Sequence, residues 1–286
     1  MGSGGDLKTP WKLLPPERIR AINFEPTHFD SGKPSLCVSN RTRTAPFFVA
    51  HDQSGSSLHK PFSDFVDRYG FESMLTRETI SVMCTSLDEQ FAGRYESADA
   101  LDINVEGHDF QVLQGADKLL SAGAIKLVKV EFELAPAYEG QGYFSDIDAF
   151  LRARNFRLGA IEIEHVRPAK VRHLHHRGEP IWGKGLYAPT QTQLRMRLAL
   201  LHDAGATGAA RRELASAIAL YTASRLPGYA YDVIAEAETI GVIAASDIAE
   251  LIAELDDVFH WARYEKGVSQ LWSLVSSAVG GMLRNH

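Results

Sequence analysis

Basic charge is in short supply in this chain. Lysine and arginine number 30 against 36 aspartates and glutamates, a formal net charge of -6. Broad, non-specific nucleic-acid binding needs a basic face to displace counterions, so the charge balance speaks against that class. Cysteine is scarcer still. Cys37 and Cys84 are the only two, and both fall in apolar, strand-like runs. They are read as buried, reduced thiols, not as a disulfide or a metal site. No uninterrupted apolar run is long enough to cross a bilayer. No cleavable signal is read at the N-terminus, so the expected location is the cytoplasm. Fixed-period repeats and low-complexity tracts are also missing. What the chain does have is 45% hydrophobic residues, enough for a packed core, and 286 residues, enough for one large or two unequal domains.

The first two-thirds alternate between β-branched runs and helical runs. Residues 18–24, 45–50 and 80–85 read as strands. Residues 101–105 and 125–132 are the clearest strands, because continuous apolar runs suit strands covered on both faces. Residues 156–163 and 185–188 follow as late strands. Between them, 109–122 reads as a helix with Phe110, Val112, Leu113, Ala116, Leu119 and Leu120 mainly on one side, and 144–154 as another with Ile147, Phe150 and Leu151. Strands alternating with helices predict an α/β fold with a mostly parallel sheet. After Pro189 the pattern turns almost wholly helical. Breaks are expected near 205–208, at Pro227-Gly228, at Gly241 and at Gly267, and Ser246 or Asp247 is expected to cap a helix. The last helix carries Val268, Leu271, Trp272, Val275, Val279 and Met282 at helical spacing, a stripe for core or interface. The expected domains are therefore 1–189 and an all-helical appendage, 190–286.

The chain opens Met1-Gly2-Ser3-Gly4-Gly5, and Glu25 ends the 18–24 segment about 20 residues later. In Rossmann-like folds a glycine-rich turn lets the backbone approach a cofactor, and an acid ending the second strand grips ribose hydroxyls. A dinucleotide fingerprint wants a third glycine beside the pyrophosphate, and Leu7 stands there. S-adenosylmethionine carries no phosphate and makes no such demand, so it is favoured over NAD. A glycine cluster behind a first methionine also reads as a flexible tail. Such a loop normally follows a hydrophobic strand, and only Met1 precedes Gly2. The sheet is thus expected to lack its first strand and the chain to be shortened at its front.

The densest signal runs from Asp99 to Ala116. A hydrophobic strand leads through Asp102, Ile103, Asn104 and Val105 into Glu106-Gly107, and a helix follows. Ligands of open α/β sheets bind beyond the carboxyl ends of strands, which places Asn104, Glu106 and His108 near any crevice. Gly107 permits a tight turn. Glu131 and Glu133 end the next apolar strand and are expected to converge with Glu106.

This stretch resembles the FkbM-like methyltransferase signature, a Lys-Ile-Asp-Val-Glu-Gly run followed by a helix ending Val-Leu-x-Gly-Ala. Phe24-Glu25-Pro26 resembles the family's ribose-binding strand end. Residues 36–41 resemble its Ala-Val-Ser-Asp segment near the adenine, with Asn40 at the acid's place. Ser56-Ser57-Leu58, Thr85-Ser86-Leu87-Asp88 and residues 183–187 resemble further landmarks, in order, and residues 2–14 resemble a subgroup's first loop. Two positions depart: Asp102 replaces the signature's lysine and Asn104 its aspartate. Asn104 can accept or donate a hydrogen bond but is neither a base nor a strong metal ligand.

The resemblance implies a class I, Rossmann-like fold and methyl transfer from S-adenosylmethionine to a hydroxyl of a sugar, glycan or natural product. Cofactor contacts would be Gly2, Ser3, Gly4, Gly5, Glu25, Pro26, Asn40 and Asp102. His108 is the first candidate for a general base, because its ordinary pKa lies near neutrality. Glu106 and Glu131 are its rivals, and Asn104 completes the set. No metal is expected. His173-Leu174-His175-His176, flanked by Arg172 and Arg177, reads as a solvated basic loop, and residues 138–143 as either a substrate-side loop or an ordinary one. Expected partners are a small-molecule or glycan acceptor, no nucleic acid, and a second copy of the chain through the helical tail. A catalytically silent methyltransferase-fold module serving as a scaffold is the competing function, and an NAD-linked oxidoreductase a weaker third.

Overall fold

The computed structural model describes residues 10–14, 16–24, 26, 36–94 and 98–259. Packing divides the chain into two compact units. Among the described residues, one comprises those of Ile22–Ala122 and Val128–Tyr187; the other comprises those of 10–21, Gly123–Leu127 and 188–259.

The first unit holds two sheets among the described residues. β1 (Leu36–Val38), β2 (Arg43–Ala50) and β3 (Thr76–Thr85) form one, in the order β1-β3-β2. Alternate side chains of β2, namely Ala45, Phe47 and Val49, turn inward onto Cys37, Val82 and Cys84, as a half-buried strand requires. Pro46 is tolerated because β2 is an edge strand. Both cysteines are buried, neither is in a disulfide, and they lie directly opposite each other across β1 and β3.

The second sheet orders β4 (Ala100–Ile103), β5 (Leu127–Glu133), β7 (Glu179–Pro189) and β6 (Phe156–Val166). β5 is buried on both faces, with Leu127, Val128, Val130 and Phe132 fully covered, which is why its sequence reads as a continuous apolar run. The strands at 45–50, 80–85, 101–105, 125–132, 156–163 and 185–188 are therefore present, most with extended ends. The expected strand at 18–24 is not: Pro16–Arg18 is a 3-10 turn and no ladder partner holds residues 19–24. Its apolar residues gave a pattern without a neighbour to accept its backbone bonds.

Strand direction also differs from expectation. β1 and β3 are parallel, but β2–β3 and β5–β7 are antiparallel. A strand covered on both faces has the same apolar signature in either direction, so the pattern could not distinguish them.

Helices α1 (Ser63–Tyr69), α2 (Leu87–Gln90), α3 (Asp109–Gln114), α4 (Asp117–Ser121) and α5 (Phe144–Arg152) complete this unit. The single helix expected over 109–122 is two, broken at Gly115. A Cβ on Gly115 would lie 2.0 Å from the Ser39 carbonyl oxygen, so the backbones meet there without a side chain between them. α4 gains its own start because Asp88 accepts from the amides of Lys118 (2.9 Å) and Leu119 (2.8 Å), two donors a helix N-terminus leaves unpaired. The expected apolar face survives the break: Val112, Leu113, Ala116, Leu119 and Leu120 are all fully buried.

The second unit is helical: α6 (Gln191–Asp203), α7 (Thr207–Ala223), α8 (Pro227–Ile240) and α9 (Ala245–Phe259). The breaks fall where the sequence places them, with Gly205 left-handed between α6 and α7, Pro227 opening α8 and left-handed Gly241 closing it. Neither Ser246 nor Asp247 caps α9. The helix begins at Ala245, and the Ala244 carbonyl accepts from the amides of Asp247 and Ile248. Asp247 instead sits in the first turn, where a carboxylate suits the helix dipole. Within this unit Lys126 is buried, donates to the Ala124 carbonyl and lies 2.5 Å from Glu213, which Arg197 also reaches at 3.1 Å. Gly267 and the 268–282 stripe lie outside the described residues.

Candidate functional site

β4 ends at Ile103, and the chain then turns through Asn104, Val105, Glu106 and Gly107 into α3. The turn needs two successive left-handed residues, Glu106 at φ 54° and Gly107 at φ 82°. Glycine adopts that conformation freely; glutamate does not, at a cost of roughly 1–3 kcal/mol. Gly107 has a second reason to be glycine, since a Cβ would lie 2.7 Å from the Tyr138 ring. Glu106 is held from outside its own segment. The Ser57 hydroxyl donates to its carbonyl at 2.6 Å, and the Tyr138 hydroxyl donates to its Oε2 at 3.2 Å.

Around this turn acids gather. Glu106, Asp109, Glu131 and Glu133 come from the ends of β4 and β5 and the start of α3. Burial pushes Glu106 up to about 8, and the charges of Glu131 and Asp109 add to the effect. Burial with the Glu131 charge pushes Asp109 up to about 7. Glu131 is also raised by burial, against the pull of Lys184, whose Nζ lies 3.7 Å away. Glu133 is raised well above the usual carboxylate range by burial and by its three acidic neighbours. Such a group cannot ionise completely, because each charge lost from water opposes the next. Asp109 is 1% exposed and Glu133 3%. Asp109 Oδ1 accepts from the Val105 amide at 3.2 Å, while Asp109 Oδ2 and Glu133 Oε2 have no hydrogen-bond partner.

His108 lies beside this cluster, fully enclosed. Its Nε2 is 2.9 Å from Ser39 Oγ and its Nδ1 2.8 Å from His59 Nε2. Burial, with His59 and Arg43 nearby, depresses it to about 3. It is therefore a neutral imidazole near pH 7, with both nitrogens engaged.

Glu106, His108 and Glu131 are thus brought to one region, with Asn104 two residues before Glu106. Asp102 is half-buried on β4 and pairs with Lys129 at 3.4 Å. Asn40 is exposed, directly after buried Ser39 at the end of β1. Pro26 is partly buried. Gly2, Ser3, Gly4, Gly5 and Glu25 lie outside the described residues. The sequence pointed to none of Ser57, His59 and Asp109 individually, while Ser39 falls within the 36–41 segment and Tyr138 opens the 138–143 loop that it singled out. Ser57 had a signal, the Ser-Ser-Leu run, and His59 follows it by two residues. The 138–143 loop is anchored at the site: Tyr138 is buried, Glu139 donates its amide to the Lys60 carbonyl, and Gln111 donates to the Gly140 carbonyl. In the His173–His176 tract, His173, Leu174 and His175 are exposed, whereas His176 is half-buried and its Nδ1 accepts from the Gly178 amide at 3.2 Å.

Chemically, the arrangement offers carboxyl groups of raised basicity that hold their protons near neutral pH and ionise fully only at higher pH. S-adenosylmethionine carries a sulfonium and an ammonium. The two orphaned carboxyl oxygens, on Asp109 and Glu133, would be complemented by a cationic or hydrogen-bond-donating group. A family model described as the methyltransferase FkbM domain matches residues 13–158. No curated protein and no solved structure gives a significant match.

Proposed function

The chain belongs to the FkbM methyltransferase domain family, and from that premise we propose that it is an S-adenosylmethionine-dependent O-methyltransferase acting on a hydroxyl of a sugar, glycan or natural product. In this reading residues 1–189 form a Rossmann-like class I domain and 190–286 a helical appendage. The observation that carries it is the buried acid cluster at the turn after β4, within the segment that the family model covers. Asn40 and Asp102 are assigned to the adenosine side and Asn104 to orienting the acceptor.

When bound, the cofactor supplies an activated methyl group on a sulfonium leaving group. Catalysis by the chain is then largely alignment and proton removal. Glu106 is the base in this proposal. A carboxylate raised to about 8 holds a proton more strongly than an ordinary one, and a nearby positive charge favours its ionised form. Tyr138 and Ser57 hold it in place through its carboxylate and its carbonyl. His108 is not given that role, because both ring nitrogens are occupied and burial opposes its protonation. Glu131 is compromised by its pairing with Lys184.

Calorimetry with S-adenosylmethionine on the full chain tests the first half, and transfer of a labelled methyl group to a panel of hydroxyl compounds tests the second. No binding would overturn the cofactor assignment. Binding without transfer to any hydroxyl acceptor would favour the scaffold function, to which Asn104 in the place of an aspartate points.

A further inference from the structure

Three polar side chains form an unbroken chain, buried at Ser39 and His108 and half-buried at His59: Ser39 Oγ to His108 Nε2 at 2.9 Å, then His108 Nδ1 to His59 Nε2 at 2.8 Å. The two rings are tilted at 49° with centroids 4.8 Å apart, so they meet nitrogen to nitrogen and do not stack. Such a contact needs one donor and one acceptor. The direction follows from the outer end. Burial lowers the His59 pKa, and bonds to the Glu139 backbone and the Gln111 side chain oppose that, as accepting oxygens do. With Nε2 taken by His108, the hydrogen on His59 is on Nδ1, beside Gly140. His59 Nε2 therefore accepts, His108 Nδ1 donates, and His108 Nε2 accepts the Ser39 hydroxyl. The other acceptor near that hydroxyl, Asn40 Oδ1, is farther, at 3.4 Å.

The inner end of this chain is a corner that is fixed from three sides. The Ser39 amide donates to the Thr85 carbonyl at 2.8 Å. The Ser39 carbonyl faces Gly115 so closely that no side chain fits there. The Ser39 hydroxyl is held by His108. Asn40 is the next residue, and it is exposed. Apolar side chains would fill the same volume without removing the Ser39 hydroxyl and the His108 imidazole from water, so packing alone does not account for the chain.

We propose that His59 is a positioning residue: acting through the His108 imidazole and the Ser39 hydroxyl, it fixes the β1 corner that presents Asn40 to the cofactor. This rests on the assignment of Asn40 under the proposed function. His59 touches neither cofactor nor acceptor in this scheme, and it sets the tautomer of the residue that does the holding.

The test uses the full chain and two variants. His59→Phe keeps a ring but removes the acceptor, while His59→Gln supplies an amide oxygen that can take the His108 hydrogen. Nitrogen NMR of the histidines should find His108 as the Nδ1–H tautomer, without titration between pH 5 and 9. In His59→Phe that tautomer should be lost and the Asn40 amide should shift. S-adenosylmethionine should bind about tenfold more weakly, the worth of one buried hydrogen bond. His59→Gln should restore all three. A purely structural role would lower the melting temperature and leave the Asn40 amide and binding unchanged in the folded protein. That result, or an Nε2–H tautomer in the unaltered chain, overturns the proposal. Failure of the unaltered chain to bind S-adenosylmethionine overturns the cofactor assignment instead, and the tautomer and Asn40 shifts still judge the His59–His108–Ser39 lock.

Discussion

Replacing Glu106 with glutamine should make the folded protein less sensitive to alkali. The glutamine oxygen can still accept from Tyr138, so the substitution removes a titrating proton with little change of shape. Glu106 titrates near 4.5 when unfolded and about 8 when folded. Between those values the folded state holds the extra proton, so stability is fullest below about pH 4.5 and falls as pH rises through 8. A rise of about 3.5 corresponds to roughly 5 kcal/mol at about 1.4 kcal/mol for each pKa unit. That is an upper bound, since a domain of ordinary stability has only about 5–15 kcal/mol in all. Asp109, Glu131 and Glu133 compete for the same protons, so the cluster remains partly protonated. Each proton that the folded cluster holds beyond the unfolded chain adds about 1.4 kcal/mol per pH unit, so the expected slope for the unaltered chain is a loss of at least about 1 kcal/mol per pH unit between pH 5 and 8. Urea denaturation at four pH values reads this slope directly. Glu106→Gln should make it shallower by about 1 kcal/mol per pH unit and gain most at pH 8. A wild-type stability that is level or rising over this range, or a variant curve parallel to it, refutes the reasoning.

Methyl transfer should rise with pH through about 8 as the Glu106 cluster loses its proton, and Glu106→Gln should lower kcat at least about a hundredfold; an unchanged kcat would exclude Glu106 as base. In the helical unit, Glu213→Leu strips buried Lys126 of its anion and should cost about 3–5 kcal/mol by denaturation. Lys126→Met should cost clearly less, because Arg197 still reaches Glu213; equal losses would refute the shared-anion account. Gly115→Ala should destabilise by about 2–4 kcal/mol, since its Cβ would meet the Ser39 carbonyl at 2.0 Å, and a thermal midpoint equal to that of the unaltered chain would show that the backbones separate easily.

The strands that carry the site were legible because burial on both faces writes itself as an apolar run, as in β5. The helical tail was legible because glycine and proline mark its breaks. What could not be read was anything set by a distant neighbour. The break at Gly115 depends on a carbonyl from residue 39 and a carboxylate from residue 88. The strand at 18–24 needed a partner, not only a pattern. His108 looked like a base because histidine titrates near neutrality in water. Burial between Ser39 and His59 changes that, and neither neighbour is within 48 residues of it in the chain. Direction within the sheets was equally hidden, since a covered strand reads alike both ways.

The departure at Asn104 takes on a different meaning inside the cluster. Read along the sequence, an asparagine in the place of an aspartate is a loss of charge and therefore of chemistry. Read in space, the turn after β4 already holds four acids whose protons are bound by burial and mutual repulsion. A fifth carboxylate two residues from Glu106 would add repulsion without adding a site that could ionise near neutral pH. An amide offers a donor and an acceptor for orienting a hydroxyl and leaves the proton balance of Glu106 untouched. Asn104 is therefore compatible with a working site, provided that the base is a carboxylate already in the cluster. With Glu106 as the proposed base, the chemistry lies at the glutamate two residues beyond the signature's third position, and the left-handed strain at Glu106 is the structural cost of aiming that side chain.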